Sequence, residues 1–255
     1  PIIFTSWVVL NAPTYLKSGQ NLKKITNDSY LLLNISAFVV TCALTPWVNS
    51  DSLIIPKLIV LFATSAYMFP RFIFYVQKSK SDKFSKFLAL LIFAIIVQLI
   101  LVILFTSSPW EQQFYGRTGR GLGLITEFSL LIILFITYHT TSKSKIKFFF
   151  ISLISACLIS SFYSILQRLG LDIFAWNTRT NGIIGTLGNP NFQSSFAAMA
   201  LVPALFYFVG TKNGLIKSVI TALPLIIVIY VSESTQGYVS AFFAITTLVL
   251  IYLFY

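Results

Sequence analysis

Residues 87–107 read FLALLIFAIIVQLILVILFTS, an apolar run without a single charge. A helix needs about 20 predominantly apolar residues to cross the hydrocarbon core of a bilayer, and this run has that length. Its apolar residues are continuous rather than alternating with polar ones, which argues against a strand of a membrane barrel. The stretch therefore predicts a transmembrane α-helix.

Apolar runs of about the same length recur along the chain on both sides of this one. The seven others are residues 30–48, 53–76, 122–138, 148–167, 191–210, 216–232 and 238–255. We therefore predict an all-α fold, a polytopic transmembrane helix bundle of about eight spans. Because the connections are all short, we expect residues 1–255 to form a single membrane domain.

The overall composition agrees with a membrane protein. Of the 255 residues 56% are hydrophobic and only 10% are charged, whereas soluble domains carry about 25% charged residues. Too few charges are present for the polar surface of a water-soluble enzyme, and too many Phe, Ile and Leu residues for a disordered chain. Cys42 and Cys157 lie inside apolar runs, so neither a disulfide nor a metal site is predicted.

Basic residues divide unequally between the two sets of connections. Thirteen of the 18 lysines and arginines lie on one side, namely Lys17, Lys23, Lys24, Arg71, Lys78, Lys80, Lys83, Lys86, Lys143, Lys145, Lys147, Lys212 and Lys217. Cytoplasmic connections carry the excess of positive charge, so we expect a cytoplasmic N-terminus and outer loops near residues 50, 115, 180 and 235. This topology accounts for the net charge of +11 without a nucleic-acid partner.

The five basic residues of the opposite side are mostly arginines: Lys57, Arg117, Arg120, Arg168 and Arg179. Topology does not explain arginine where positive charge is disfavoured. Its planar, permanently charged fork suits phosphate or carboxylate, which indicates an anion site at the outer face.

The first candidate loop is PWEQQFYGRTGRGLG at residues 109–123. Arg117 and Arg120 are three residues apart just before a predicted helix, so both can face one anion together with the helix amides. The alternative is that the two arginines extend to lipid headgroups. Glu127 lies near the outer end of the next span, where a carboxylate is costly, and Arg117 or Arg120 would be its natural partner.

The second candidate loop contains RTNGIIGTLGNPN at residues 179–191. We expect Asn191 to cap the following helix, so that Asn189 and Asn191 present hydrogen-bonding groups beside Arg179. The alternative is a re-entrant turn with a helix cap and no ligand. The turn SESTQG at residues 232–237 either lines the same mouth or is a polar hairpin tip. His139, the only histidine, is predicted to be a polar residue at the inner interface.

Taken together, these segments resemble the O-antigen ligase/polymerase superfamily. The matching segments are Pro56-Lys57, Gly116-x-x-x-Arg120-x-x-Gly123-Leu124, Gln167-Arg168-Leu169-Gly170, Arg179, and GTLGNPN at 185–191 before a span with Pro203. The turn with Gln236 corresponds to a Ser-Arg-Gly segment, and Gln236 stands where many members have arginine.

The resemblance implies an enzyme of the bacterial inner membrane that works without metal or cofactor. Such enzymes transfer a glycan from undecaprenyl diphosphate to lipid A-core, another glycan repeat or a protein hydroxyl at the periplasmic face. Arg120 and Arg179 would clamp the diphosphate, with Arg117 and Arg168 as second choices. The substrate oxygens would be oriented by Asn189, Asn191, Gln236 and, as a second choice, Glu127.

The resemblance also implies that the histidine proposed as catalytic base lies on a large periplasmic loop after a ninth span. We therefore expect that base beyond residue 255, and we expect this N-terminal stretch to be inactive alone. Two alternatives from other classes remain. One is a transporter or flippase of an anionic lipid or solute, for which charged mid-span residues and repeat symmetry are nearly absent. The other is a non-catalytic subunit of a polysaccharide assembly machine.

Overall fold

The computed structural model describes residues 19–45, 52–78, 82–117, 121–142, 145–172, 174, 176, 183–208 and 211–254. Within these ranges the chain is almost entirely α-helical and contains no strand. The predicted all-α class is therefore confirmed for this part of the protein.

Nine α-helices follow one another along these ranges. They are α1 (Gly19–Cys42), α2 (Ile55–Lys78), α3 (Lys83–Phe105), α4 (Trp110–Tyr115), α5 (Leu124–Thr140), α6 (Ile146–Arg168), α7 (Pro190–Phe206), α8 (Gly214–Val231) and α9 (Thr235–Phe254). Each of the eight predicted apolar runs coincides with one long helix. The short helix α4 lies in the first candidate loop and was not predicted.

Four helices, α2, α3, α6 and α8, are long and apolar enough to cross a membrane, and α5 and α9 are shorter apolar helices. The chain is therefore membrane-embedded, while the full count of eight spans and the orientation stay predictions. Helix α3 is the most hydrophobic of the four, and only 6% of its most apolar window is buried. Its surface is accordingly suited to contact lipid.

The described residues divide into two compact units, and the first holds those that lie within 19–37 and 57–142. Its apolar core includes Met68 on α2 and Ile132 and Phe135 on α5. Hydroxyl groups also join its helices, because Ser65 Oγ donates to Ser129 Oγ across 2.9 Å. Hydrogen bonds of this kind hold helices together where the surrounding lipid is as apolar as the core.

His139 lies in the last turn of α5 and has a structural environment within the first unit. Its Nε2 and the Ser85 Oγ are 2.8 Å apart, and its Nδ1 is 2.9 Å from the Phe135 carbonyl oxygen. Its ring centroid lies 4.4 Å from that of Phe135 and 5.0 Å from that of Tyr75. This histidine is thus satisfied by hydrogen bonds and ring contacts between helices α2, α3 and α5.

The second unit holds the described residues within 38–56 and 145–254, and α7 lies at its centre. Small residues let other helices approach α7 closely, since Ala197, Ala198, Ala200 and Ala204 are fully buried. At Gly237 of α9 the approach is so close that an added Cβ would lie 2.5 Å from the Ser194 Cβ. The sequence of α7 is therefore built for packing against helices rather than lipid.

Helix α8 also satisfies the carbonyl groups at the end of α7. The last carbonyls of a helix have no partner within it. Ser218 Oγ donates to the Leu205 carbonyl across 2.7 Å, and Thr221 Oγ1 donates to the Ala204 carbonyl across 3.3 Å. These two hydrogen bonds hold α8 against the last turn of α7.

Candidate functional site

Two arginines of the predicted anion site, Arg120 and Arg179, lie outside the described residues. Their placement stays a prediction. The structure does describe Arg117, Arg168, Glu127, Asn189, Asn191 and Gln236. It also describes the segments that flank each of the two arginines.

The loop that carries Arg120 is closed at its base by two glycines. Gly116 has φ +87, and a Cβ on Gly123 would lie 2.3 Å from both the Gly116 nitrogen and the Phe114 carbonyl oxygen. The two backbones therefore touch, and only glycine leaves room for this contact. This gives a physical reason for the spacing Gly116-x-x-x-Arg120-x-x-Gly123.

Arg117 and Glu127 line one groove of the first unit, with a volume of about 470 Å³. The structure shows no ion pair between them, and Arg120, the other predicted partner of Glu127, lies outside the described residues, so the pairing of Glu127 with an arginine stays a prediction. Glu127 lies in the first turn of α5, where the positive end of the helix dipole favours a carboxylate. The carboxylate therefore has a favourable position without an arginine.

In the second unit, the Asn-Pro-Asn turn begins helix α7. The prediction that Asn191 caps this helix is wrong, because the cap is Asn189, whose Oδ1 accepts from the Asn191 backbone nitrogen across 2.8 Å. Pro190 then occupies the first helical position, which proline favours because its fixed φ suits the helix and it has no N–H to satisfy. Asn191 is left with a free side chain for another contact.

That contact joins α7 to the turn between α8 and α9. Ser234 Oγ donates to Asn191 Oδ1 across 2.6 Å. The Asn-Pro-Asn turn and the 232–237 turn, predicted as candidates for one mouth, are therefore adjacent. Gln236 is exposed in the first turn of α9.

Arg168, at the end of α6, pairs with Glu233 of the same turn. The Arg168 Nη2 and Glu233 Oε1 are 3.2 Å apart, and the two side chains are 51% and 73% exposed. An ion pair this exposed contributes about 1 kcal/mol or less to stability. Arg168 is therefore held loosely, next in sequence to the Ser234–Asn191 contact through Glu233, by a carboxylate that an anionic ligand could replace.

The loop after α6 is anchored to that helix by a polar network that the sequence reasoning missed. Gln167 Nε2 donates to Asp172 Oδ2 across 2.8 Å, and Gln167 Oε1 accepts from the Gly185 nitrogen across 2.9 Å. The Tyr163 hydroxyl donates to the same carboxylate and accepts from Trp176 Nε1 across 2.7 Å. Both ends of the loop that carries Arg179 are thereby attached to one glutamine.

Gln193, in the first turn of α7 after the Asn-Pro-Asn turn, is fully buried. Gln193 Oε1 accepts from Ser160 Oγ across 2.8 Å, and Ser160 also hydrogen-bonds to Thr186. Gln193 Nε2 has no hydrogen-bond partner among the described residues. An unsatisfied buried donor lowers the stability of a protein by about 1–3 kcal/mol, so the buried Gln193 amide destabilises the fold by about that amount. The sequence indicates this polar cluster by a glutamine at the third position of the apolar run 191–210.

We expect Asn189→Ala to lower the free energy of unfolding by about 1 kcal/mol, because the mutation removes the helix cap. Asn189→Ser keeps an acceptor at the same position and should lose only a few tenths of that value. SDS-induced unfolding of the purified protein in mixed micelles measures both. Equal stabilities of the parent and the alanine variant would show that Asn189 does not cap α7.

Within the described ranges, no group of three or more His, Cys, Asp and Glu side chains could hold a metal ion. The residues brought together in the second unit are instead one arginine, two asparagines and a serine, which can bind anionic and hydroxyl-rich ligands through charge and hydrogen bonds. No family model, curated protein or solved structure matches this chain.

Proposed function

We propose that this chain belongs to a membrane glycosyltransferase that resembles the O-antigen ligase/polymerase superfamily. The enzyme would transfer a glycan from undecaprenyl diphosphate to an acceptor at the periplasmic face of the bacterial inner membrane. The acceptor would be lipid A-core, another glycan repeat or a protein. In this proposal the chain has about eight spans and a cytoplasmic N-terminus.

One observation carries the proposal. Arg168 pairs with Glu233, and the next residue, Ser234, hydrogen-bonds to Asn191, so three separated parts of the sequence are joined at the ends of α6, α7 and α9. The turn that contributes Asn189 and Asn191 is the same segment on which the resemblance depends. A cluster of neutral donors and acceptors beside arginine suits a sugar joined to a diphosphate.

The chemistry needs stabilisation of the leaving group. As the acceptor hydroxyl oxygen bonds to the anomeric carbon, the bond from that carbon to the diphosphate oxygen breaks. The hydroxyl proton passes to a base, which the resemblance expects to be a histidine. Negative charge grows on the departing lipid diphosphate, and guanidinium groups fixed in advance stabilise it electrostatically. We assign this role to Arg120 and Arg179, with Asn189, Asn191 and Gln236 orienting oxygens.

The test is transfer by the intact protein reconstituted into vesicles with a purified undecaprenyl-diphosphate-linked glycan and each acceptor class. We expect a glycosylated acceptor and free undecaprenyl diphosphate in equal amounts, with neither formed when the acceptor is omitted. A donor that crosses the bilayer unchanged, with no transfer to any acceptor, would contradict the proposal and support a flippase.

A further inference from the structure

The groove of the first unit combines an apolar wall with two opposite charges. Val102 and Ile103 of α3 and Leu124 of α5 line one part of it, whereas Arg117 and Glu127 line another. We call this feature the α3–α5 groove. A ligand that fits it has an apolar chain and a polar head.

Among the residues that the structure describes, neither Arg117 nor Glu127 forms an ion pair, so both charges can face a ligand in the groove. A cation and an anion that line one groove without pairing match a molecule that carries both signs. A purely anionic head would satisfy Arg117 but would be repelled by the Glu127 carboxylate. Charge complementarity therefore favours a zwitterion.

The neighbouring helix α4 indicates that the groove lies at the membrane–water interface. Trp110 and Tyr115 at its two ends are 66% and 63% exposed, and Trp110 also contacts the Phe114 ring at 4.2 Å between centroids. Tryptophan and tyrosine are enriched at the level of the lipid headgroups. Val102 and Ile103 of the apolar wall belong to α3, and only 6% of the most apolar stretch of that helix is buried.

We propose that the α3–α5 groove binds a zwitterionic phospholipid of the phosphatidylethanolamine type. The phosphate binds Arg117, the primary ammonium donates to the Glu127 carboxylate, and an acyl chain lies along Val102 and Ile103. The site is a lipid site distinct from glycan transfer. The lipid-linked diphosphate donor is a poor fit, because it brings two or more negative charges and no cation for Glu127.

The primary ammonium distinguishes phosphatidylethanolamine from phosphatidylcholine, its closest analogue in charge. Phosphatidylcholine has the same charges, but its trimethylammonium has no N–H to donate to a carboxylate. Phosphatidylglycerol keeps the phosphate and lacks the cation. Comparison with phosphatidylcholine therefore tests the N–H groups of the ammonium, and comparison with phosphatidylglycerol tests its positive charge.

The test is lipid retention measured by native mass spectrometry on the intact protein, incubated in detergent with equimolar phosphatidylethanolamine, phosphatidylcholine and phosphatidylglycerol. We expect about tenfold more phosphatidylethanolamine than either competitor in the bound fraction, equivalent to about 1.4 kcal/mol. Glu127→Gln should bring the ratio to phosphatidylglycerol down to about one. Arg117→Gln should reduce retention of all three lipids.

Glu111→Gln is the matched control, because Glu111 precedes Gln112 on α4 but does not line the groove. It should leave the ratios unchanged. Equal retention of the three lipids by the parent protein would overturn the proposal without any variant. Displacement of phosphatidylethanolamine by equimolar undecaprenyl diphosphate would also overturn it and assign the groove to the donor. Loss of glycan transfer with selective lipid retention would instead count against the proposed function alone.

Discussion

Replacing Arg179 by alanine should lower kcat/KM for glycan transfer by about 10²–10³-fold, the usual effect of removing one preorganised charge-stabilising group. Arg179 belongs to a loop whose two ends both attach to Gln167 of α6. These bonds fix the described ends of the loop, at Asp172 and Gly185, while the position of Arg179 itself stays a prediction. Loss of its guanidinium would leave the charge on the departing diphosphate less well stabilised.

Arg179→Lys separates charge from geometry. Lysine keeps the positive charge but lacks the planar fork that binds two phosphate oxygens, so we expect a rate between those of the alanine variant and the parent. Arg71→Lys and Arg71→Ala are matched controls, because Arg71 lies on α2 and its guanidinium stacks on the Tyr67 ring at 4.6 Å. Parent rates in both Arg179 variants would show that Arg179 does not bind the diphosphate.

Gly185→Ala should lower the free energy of unfolding by about 2–5 kcal/mol. Gly185 has φ +57, a conformation that costs a residue with a Cβ about 1–2 kcal/mol. The new methyl group would also lie 2.4 Å from Gln193 Oε1 and 2.7 Å from Ser164 Oγ. Both side chains are buried and hydrogen-bonded, so overpacking adds about 1–3 kcal/mol.

Gly170→Ala is the matched control for this prediction. Gly170 has a similar φ of +70, but an added Cβ would meet no atom within 4 Å. Its mutation should therefore cost only the backbone strain, about 1–2 kcal/mol. SDS unfolding in mixed micelles measures both variants. Equal losses of unfolding free energy in the two variants would mean that the side chains around Gln193 move to accommodate the methyl group and do not restrict Gly185.

The positions of the helices could be predicted because the bilayer imposes a length and a polarity on every crossing segment. The run at 87–107 coincides with α3, and the runs at 148–167 and 216–232 coincide closely with α6 and α8. Helix α1 instead begins at Gly19, eleven residues before its apolar run. Hydropathy marks the apolar part of a helix, and a helix continues beyond that part where its residues favour it.

The arrangement of the candidate site could be predicted only in part. The sequence indicates Asn189, Asn191 and the 232–237 turn as candidates, because they are polar residues at the ends of predicted helices. Which asparagine caps α7 depends on the preference of Pro190 for the first helical position. The Arg168–Glu233 pair and the Gln193–Ser160 bond join residues distant in sequence, and local patterns carry no information on such contacts.

The contact between Gly116 and Gly123 fixes the two ends of the loop at residues 117–122, whatever the length of that loop. Since the backbones touch where the loop starts and where it returns, the separation of α4 from α5 is set there and not by the six residues between. Lengthening such a segment costs only about 0.6 kcal/mol per doubling. Evolution can thus vary the reach and chemistry of this loop for new ligands while leaving the helices that support it unmoved.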